Sequence, residues 1–256
     1  MSLKGKKALL CGASKGIGLA AAKQLAELGA ELVLVARDEA SLKKIVADLP
    51  GRHHVWAQDL ADTTSLQNNL NLLLKEHGDF AVLLNNTGGP KAGPLLAADV
   101  TELTAAFQSH VVPAHLLTQG LVPGMKRLKY GRILNVLSTS VKTPLPNLGV
   151  SNTIRAAMAN WAKTMSLELA SFGITVNNIL PGYTSTDRLD ALKTATAQRE
   201  NKSVQAIEST WLNSIPAGRF GEPSELGAAI AFLASPAAAY INGINLPVDG
   251  GRTGSL

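Results

Sequence analysis

The sequence predicts an α/β fold, a doubly wound parallel sheet of about seven strands with helices on both faces. Three observations predict it. Short apolar runs alternate with helix-length amphipathic segments along the whole chain. Most of those runs are apolar throughout, as strands covered on both faces must be. The first run leads into Gly12-Ala13-Ser14-Lys15-Gly16-Ile17-Gly18, a glycine turn that opens a helix.

The elements follow in order. Ala8-Leu9-Leu10-Cys11 is the first strand, 8–11. The helix after the glycine turn, 17–29, sets Ile17, Ala21, Leu25 and Leu28 on one face and keeps Lys23 and Glu27 off it, the 3.6-residue period of a packed helix. Further strands are expected at 32–36, 55–57, 80–84, 133–137, 175–180 and 244–248. Between them, helices are expected at 39–48, 63–77, 99–128, 151–172 and 223–235. Strands alternating with helices imply a parallel sheet, and right-handed crossovers place the strands' C-terminal ends on one edge. The residues at those ends are Gly12, Arg37, Asp59, Asn85, Ser138 and Pro181. The segment at about 184–215 breaks the rhythm; polar and rich in Thr, Gln and Asn, it reads as a mobile loop that forms a substrate lid. No linker, repeat or low-complexity tract divides the chain, so residues 1–256 are expected to form a single domain.

Composition narrows the function classes. Hydrophobic residues make up 46% of the 256 and charged residues 17%, which fits a large core. No apolar run reaches the ~18 residues of a membrane span, and no membrane role is expected. The lone cysteine, Cys11, excludes an intrachain disulfide, so a cytoplasmic protein is expected. The net charge of +5 is spread over scattered lysines and arginines without interleaved aromatics, which argues against nucleic acid. His53, His54, His77 and His115 show no metal-ligand spacing, and no metal is expected.

The glycine turn has a chemical meaning. Glycines let the backbone approach phosphates closely, and the free amides of the first helical turn point at the anion. The spacing here is G-x-x-x-G-x-G rather than G-x-G-x-x-G.

Four further motifs join the glycine turn. Asn85-Asn86-Thr87-Gly88 follows the fourth strand, and Asn135-Val136-Leu137-Ser138 ends the fifth. Asn177-Asn178-Ile179-Leu180-Pro181-Gly182 ends the sixth, and Gly218-Arg219-Phe220-Gly221-Glu222-Pro223 with Val248-Asp249-Gly250-Gly251 closes the chain. Together and in this order they resemble the short-chain dehydrogenase/reductase family, and most of all its 3-oxoacyl-acyl-carrier-protein reductase branch. The resemblance covers essentially the whole chain. It implies a Rossmann-like domain, an oxidoreductase moving hydride between a nicotinamide cofactor and a carbonyl or alcohol, and a homo-oligomer, expected to be a tetramer. Small ketones, polyols and acyl thioesters are all open as substrates. It also implies that Gly12, Ser14, Gly16, Ile17 and Gly18 hold the pyrophosphate, and that Asp59 contacts adenine. Asn85 and Gly88 would line the adenosine ribose; Pro181, Gly182 and Thr186 would stand at the nicotinamide end.

Cofactor choice turns on the end of the second strand, where a carboxylate would bind a ribose 2′-hydroxyl. Here the strand ends Val35-Ala36-Arg37. A guanidinium pairs bidentately with phosphate, and Lys15 in the glycine turn can reach the same group. Both point to NADP(H).

The catalytic positions depart from the family pattern. The resemblance implies a serine, a tyrosine with a lysine one helical turn later, and an asparagine. Ser138 fills the serine position. Ser151 stands where the tyrosine belongs, Arg155 where the lysine belongs and His110 where the asparagine belongs. A histidine with an unperturbed pKa of ~6.5 is expected to donate the proton, through Ser151 or a water, with Arg155 holding the nicotinamide ribose; Tyr183 is a second candidate donor. The alternative is a catalytically silent NADP(H)-binding protein, a sensor or an oligomer partner.

Overall fold

The computed structural model describes residues 1–255; Leu256, the last residue of the domain assigned above, lies outside them. Seven strands follow one another as β1 (Lys7–Cys11), β2 (Glu31–Ala36), β3 (His53–Ala57), β4 (Val82–Asn85), β5 (Gly131–Val136), β6 (Ile174–Pro181) and β7 (Asn245–Val248). They form one sheet in the order β3-β2-β1-β4-β5-β6-β7, with every adjacent pair parallel. The helices are α1 (Gly16–Glu27), α2 (Glu39–Asp48), α3 (Thr63–His77), α4 (Val100–Leu128), α5 (Gly149–Leu169), α6 (Asp187–Glu200), α7 (Val204–Asn213) and α8 (Pro223–Ala234). This is the expected doubly wound fold. Its strand order reverses between β1 and β4, and such a switch point opens a crevice outside the strands' C-terminal ends.

The period of two along each strand decides which layer a side chain joins. Ala8 and Leu10 of β1, with Leu32 and Leu34 of β2, pack beneath α1 and α8 against Ala21, Leu25, Leu226 and Ile230. Leu9 and Cys11, with Val33 and Val35, face the opposite layer of Leu66 and Leu70 from α3, Leu117 and Leu121 from α4, and Ala162 from α5. α8 lies so close on α1 that a Cβ at Gly227 would come within 2.8 Å of the Ala20 carbonyl oxygen.

A polar row crosses this apolar sheet. The Asn85 side-chain amide donates to Asn135 Oδ1, Asn135 to Asn178 Oδ1 and Asn178 to Asn245 Oδ1, each at 2.8 Å. The register explains it, because Asn85 pairs with Asn135, Asn135 with Asn178 and Asn178 with Asn245 across β4, β5, β6 and β7. Asn135 is completely buried, so each link supplies a partner that water cannot.

The 184–215 segment corrects the loop expectation. It folds into α6 and α7, each opened by a side-chain cap: Thr186 accepts from the Leu189 amide and Ser203 from the Ala206 amide. α6 buries only Leu189, Thr196 and Ala197, so it shows little apolar periodicity; capping, with Asn201 in the left-handed region at φ 51°, defines its ends.

Candidate active site

A groove of about 1200 Å³ opens at the switch point. Gly12, Ser14, Lys15, Gly16 and Ile17 of the glycine turn line it, with Arg37 at the end of β2, Asp59 after β3, Gly88 after β4 and Thr186 before α6. Gly18, Asn85, Arg155, Pro181 and Gly182 do not line it.

The glycine turn is held shut by close backbone contact. A Cβ at Gly12 would meet the Asn86 carbonyl oxygen at 2.5 Å, and one at Gly18 would collide with the carbonyl oxygen of Gly12. The Asn86 side-chain amide donates to that same Gly12 oxygen at 3.2 Å, tying β1 to β4 across the crevice. The side chain of Asn85, expected at the ribose, instead donates into the asparagine row. Of the two asparagines, Asn86 is the one that lines the groove, and sequence reasoning did not single it out.

At the β2 end, Arg37 is exposed and forms no ion pair among the described residues. Its neighbour Asp38 also lines the groove, but its carboxylate caps α2, accepting from the Ser41 amide at 3.2 Å and the Ser41 hydroxyl at 2.5 Å. Those bonds hold its pKa below the usual carboxylate value. Lys15 reaches Asp187 of α6, at 3.3 Å, rather than Arg37. Both partners are exposed, and such a pair is weak, so Lys15 is readily released to an anion.

Deeper in, a cavity of about 20 Å³ is lined by Cys11, Asn85, Thr87, His110, Val136 and Arg155, among others; that volume admits one water. Arg155 is 8% exposed, and its Nη1 donates to the Val136 carbonyl at 2.8 Å. Burial and the charge of Arg188 lower its pKa to about 10, so it remains a cation at neutral pH. Ser151 lies one turn earlier on the same helix and is buried. Ser138, at the end of β5, accepts from the Ser140 amide at 3.1 Å, which leaves its O–H to donate.

His110 differs from expectation. It is 5% exposed, with Nδ1 against the Thr87 hydroxyl. Burial, then the charges of Arg155 and Arg188, push its pKa down to about 3. At neutral pH it is an uncharged imidazole and holds no imidazolium proton to give. The expected titration near neutrality is therefore corrected. In the unfolded chain the same side chain takes a proton near ~6.5; below that the unfolded state binds more protons than the folded one. Stability is thus complete above ~6.5 and falls as pH drops towards 3. His110→Gln is expected to flatten this acid limb in pH-dependent melting.

Tyr183 is also corrected as a proton donor. Its ring stacks on Trp211 of α7 at 4.6 Å and 7°, meets Phe220 edge-on at 6.2 Å and lies under the Arg252 guanidinium at 4.3 Å. Burial raises its pKa, opposite to what a proton donor near neutral pH needs, and it lines neither cavity. It packs against α7. Arg188, which the sequence reading passed over, does face the groove. A signal for it existed: a cation in the first turn of a helix opposes the macrodipole.

Among the described residues no group of acidic, histidine and cysteine side chains is arranged to hold a metal, and no helix is long and apolar enough to cross a membrane.

The family model described as Enoyl-(Acyl carrier protein) reductase matches residues 12–253. The 3-oxoacyl-[acyl-carrier-protein] reductase FabG of Vibrio harveyi is 35% identical over 253 residues, covering 98% of both chains. The NADPH-dependent reductase BacG of Bacillus subtilis is 30% identical, over 98% of this chain and 99% of its own. The solved L-sorbose reductase of Gluconobacter frateurii, complexed with NADPH and L-sorbose, superposes with a TM-score of 0.92 at 29% identity, covering 100% of this chain and 99% of the other. Likeness at that level runs from the glycine turn to the closing motif, and the chain belongs to the short-chain dehydrogenase/reductase family, close to its 3-oxoacyl-acyl-carrier-protein reductases.

Proposed function

We propose that the protein is an NADP(H)-dependent reductase of small carbonyl compounds, working in the cytoplasm. The observation that carries this reading is the groove itself, with a glycine cradle at one end and an unpaired arginine where a 2′-phosphate would lie. The residues present fit the cofactor. Gly12 and Gly18 have no room for a Cβ, the first turn of α1 presents its amides, and Asp38 is committed to Ser41. Bound there, NADPH supplies hydride to a carbonyl carbon. Arg37 and Lys15 would neutralise the 2′-phosphate, Asp59 and Gly88 would flank the adenosine, and Thr186 would meet the nicotinamide end.

The reacting oxygen falls to the inner residues. Ser138 donates its hydroxyl to the carbonyl oxygen and orients it. Arg155, fixed on Val136, supplies a stationary positive charge where negative charge develops, the role of an oxyanion site. Ser151, buried on α5 one turn before Arg155, passes the proton in from solvent, and neutral His110 with Thr87 fixes the wall of the inner cavity. The rate is therefore expected to show no titration assignable to His110 between about pH 5 and 8, a range over which a histidine donor would lose activity as pH rises. Initial rates of wild type and His110→Asn across that range check it.

The reading is tested by NADPH oxidation against a panel of oxo compounds. Its cofactor component is tested by titrating NADPH and NADH into wild type and Arg37→Asp. Wild type should prefer NADPH by about ten- to a hundredfold, the worth of a charge-assisted phosphate contact. Arg37→Asp should lose that preference, and equal affinities in wild type would refute it.

We infer further that copies assemble as a tetramer. Large apolar side chains are exposed on α4 and α5, at Val100, Phe107 and Leu167, and at Phe232 on α8 and Tyr240 before β7. Such side chains suit contacts between copies. Light scattering at micromolar concentration should give four chains; a monomer refutes this.

A further inference from the structure

Two cations stand near the inner end of the groove without an anion: Arg188 lines the groove, and Arg155 lines the deeper cavity. Arg155 is buried on α5, its Nη1 on the Val136 carbonyl. Arg188 projects from α6, and its Nη1 donates to the Gly89 carbonyl at 3.2 Å. That pose depends on glycine at 89: a Cβ there would lie 2.7 Å from Arg188 Cζ and collide with its Nη2. Neither arginine forms an ion pair among the described residues, whereas Arg127 pairs with Asp79 and Arg219 with Glu225 on the surface.

Of the carboxylates that line the groove, all but Asp187 stand elsewhere. Asp38 and Asp59 follow β2 and β3, and Glu27 ends α1. On the side bounded by β4, β5 and α6 one carboxylate lines the groove, that of Asp187, and Lys15 pairs with it. Burial and then the charge of Arg188 lower the proton affinity of Arg155, and burial and then both arginines lower that of His110. Arg155 is buried, and a buried charge without an anion is costly; Arg188 stands exposed at the groove, where an anion can reach it. The anions of NADP(H) lie on the β1–β2 side, at the glycine turn and Arg37. The remaining anion has to come with the substrate.

We propose that Arg188, with Arg155 behind it, binds a carboxylate of the substrate, and that the carbonyl compounds this site reduces are short 2-oxo or 3-oxo acids. The planar guanidinium fork matches a carboxylate. Because Arg155 serves the carbonyl oxygen and Arg188, whose charge acts on Arg155, the carboxylate, the two groups of the substrate belong close together. This assignment rests on the reductase reading of the groove.

The test compares 2-oxohexanoate and 3-oxohexanoate with their methyl esters, at saturating NADPH, for wild type, Arg188→Gln and Arg188→Lys. Wild type should show a KM for at least one acid about ten- to a hundredfold below that of its ester. Arg188→Gln should erase the difference by raising the acid's KM alone, and Arg188→Lys should restore part of it. The Kd for NADPH, read from nucleotide fluorescence, should stay unchanged in both variants. Calorimetry of malonate, which cannot be reduced, into the protein–NADPH complex should show binding in wild type and none in Arg188→Gln. Esters reduced as well as acids, or both KM values shifted equally in Arg188→Gln, would overturn the carboxylate assignment and leave the reductase reading standing. Loss of NADPH affinity in Arg188→Gln would place Arg188 in the cofactor site and overturn it too. If no compound is reduced, the reductase reading fails, and malonate binding then decides the carboxylate site alone.

Discussion

Gly18→Ala is expected to weaken NADPH binding by about a hundredfold, the scale of loss when a site is displaced by about 1 Å. It should also lower stability by about 1–3 kcal/mol, the usual cost of overpacking. The added methyl collides with the Gly12 carbonyl oxygen and lies 2.8 Å from the carbonyl carbon of the same residue. Both are backbone atoms and cannot rotate aside, so α1 must move away from β1 and carry its anion-binding amides with it. Gly93→Ala is the control, since a Cβ there meets nothing within 4 Å. Fluorescence titration and thermal melting of the two variants check it. A Gly18→Ala protein that binds NADPH as wild type does would show that the cradle is not the phosphate site.

Asn135→Leu should be the most destabilising of the near-isosteric changes in the sheet. It leaves the Asn85 side-chain amide without its acceptor and Asn178 Oδ1 without its donor, in a place with no exposure at all. Each orphaned group costs about 1–3 kcal/mol, so a total of about 2–6 kcal/mol and a melting temperature lower by roughly 5–20 °C are expected. Replacing Asn85, Asn135, Asn178 and Asn245 together by apolar residues should cost less per residue, because no polar partner is left behind. Differential scanning calorimetry of the single and quadruple variants distinguishes this from a simple loss of packing.

The sheet and most helices were legible because their signal is local. Val33 and Val35 are apolar on one face and Leu32 and Leu34 on the other, and a strand buried on both sides shows that without its partners. The glycine turn was legible for the same reason. The helices α6 and α7 were not, because α6 has few buried residues and its ends are set by Thr186 and Asn201 rather than by an apolar stripe. The asparagine row could not be read either: Asn85, Asn135, Asn178 and Asn245 become neighbours only once register is known. His110 shows the sharper limit. Its position was identified from sequence, yet its protonation state depends on burial and on Arg188, which is 78 residues away along the chain and beside it only in the fold. Arg37, by contrast, needs no tertiary information to stand at a strand end, and the structure adds only that the Asp38 carboxylate beside it is engaged by Ser41.

The close seating of α8 on α1 bears on how the protein is made. The helix that follows the glycine turn begins at Gly16, but the helix that covers its apolar face begins at Pro223. At ribosomal speeds that interval lasts roughly 10–40 s. Throughout it, Ala21, Ala22 and Leu25 have the sheet on one side and lack Leu226 and Ile230 on the other. The nucleotide cradle is thus laid down early and clamped late, and the nascent chain carries an uncovered greasy helix for most of its synthesis. Such a chain is a natural client for a holding chaperone, and a ribosome stalled just before codon 223 should yield a product that binds one and fails to retain nucleotide.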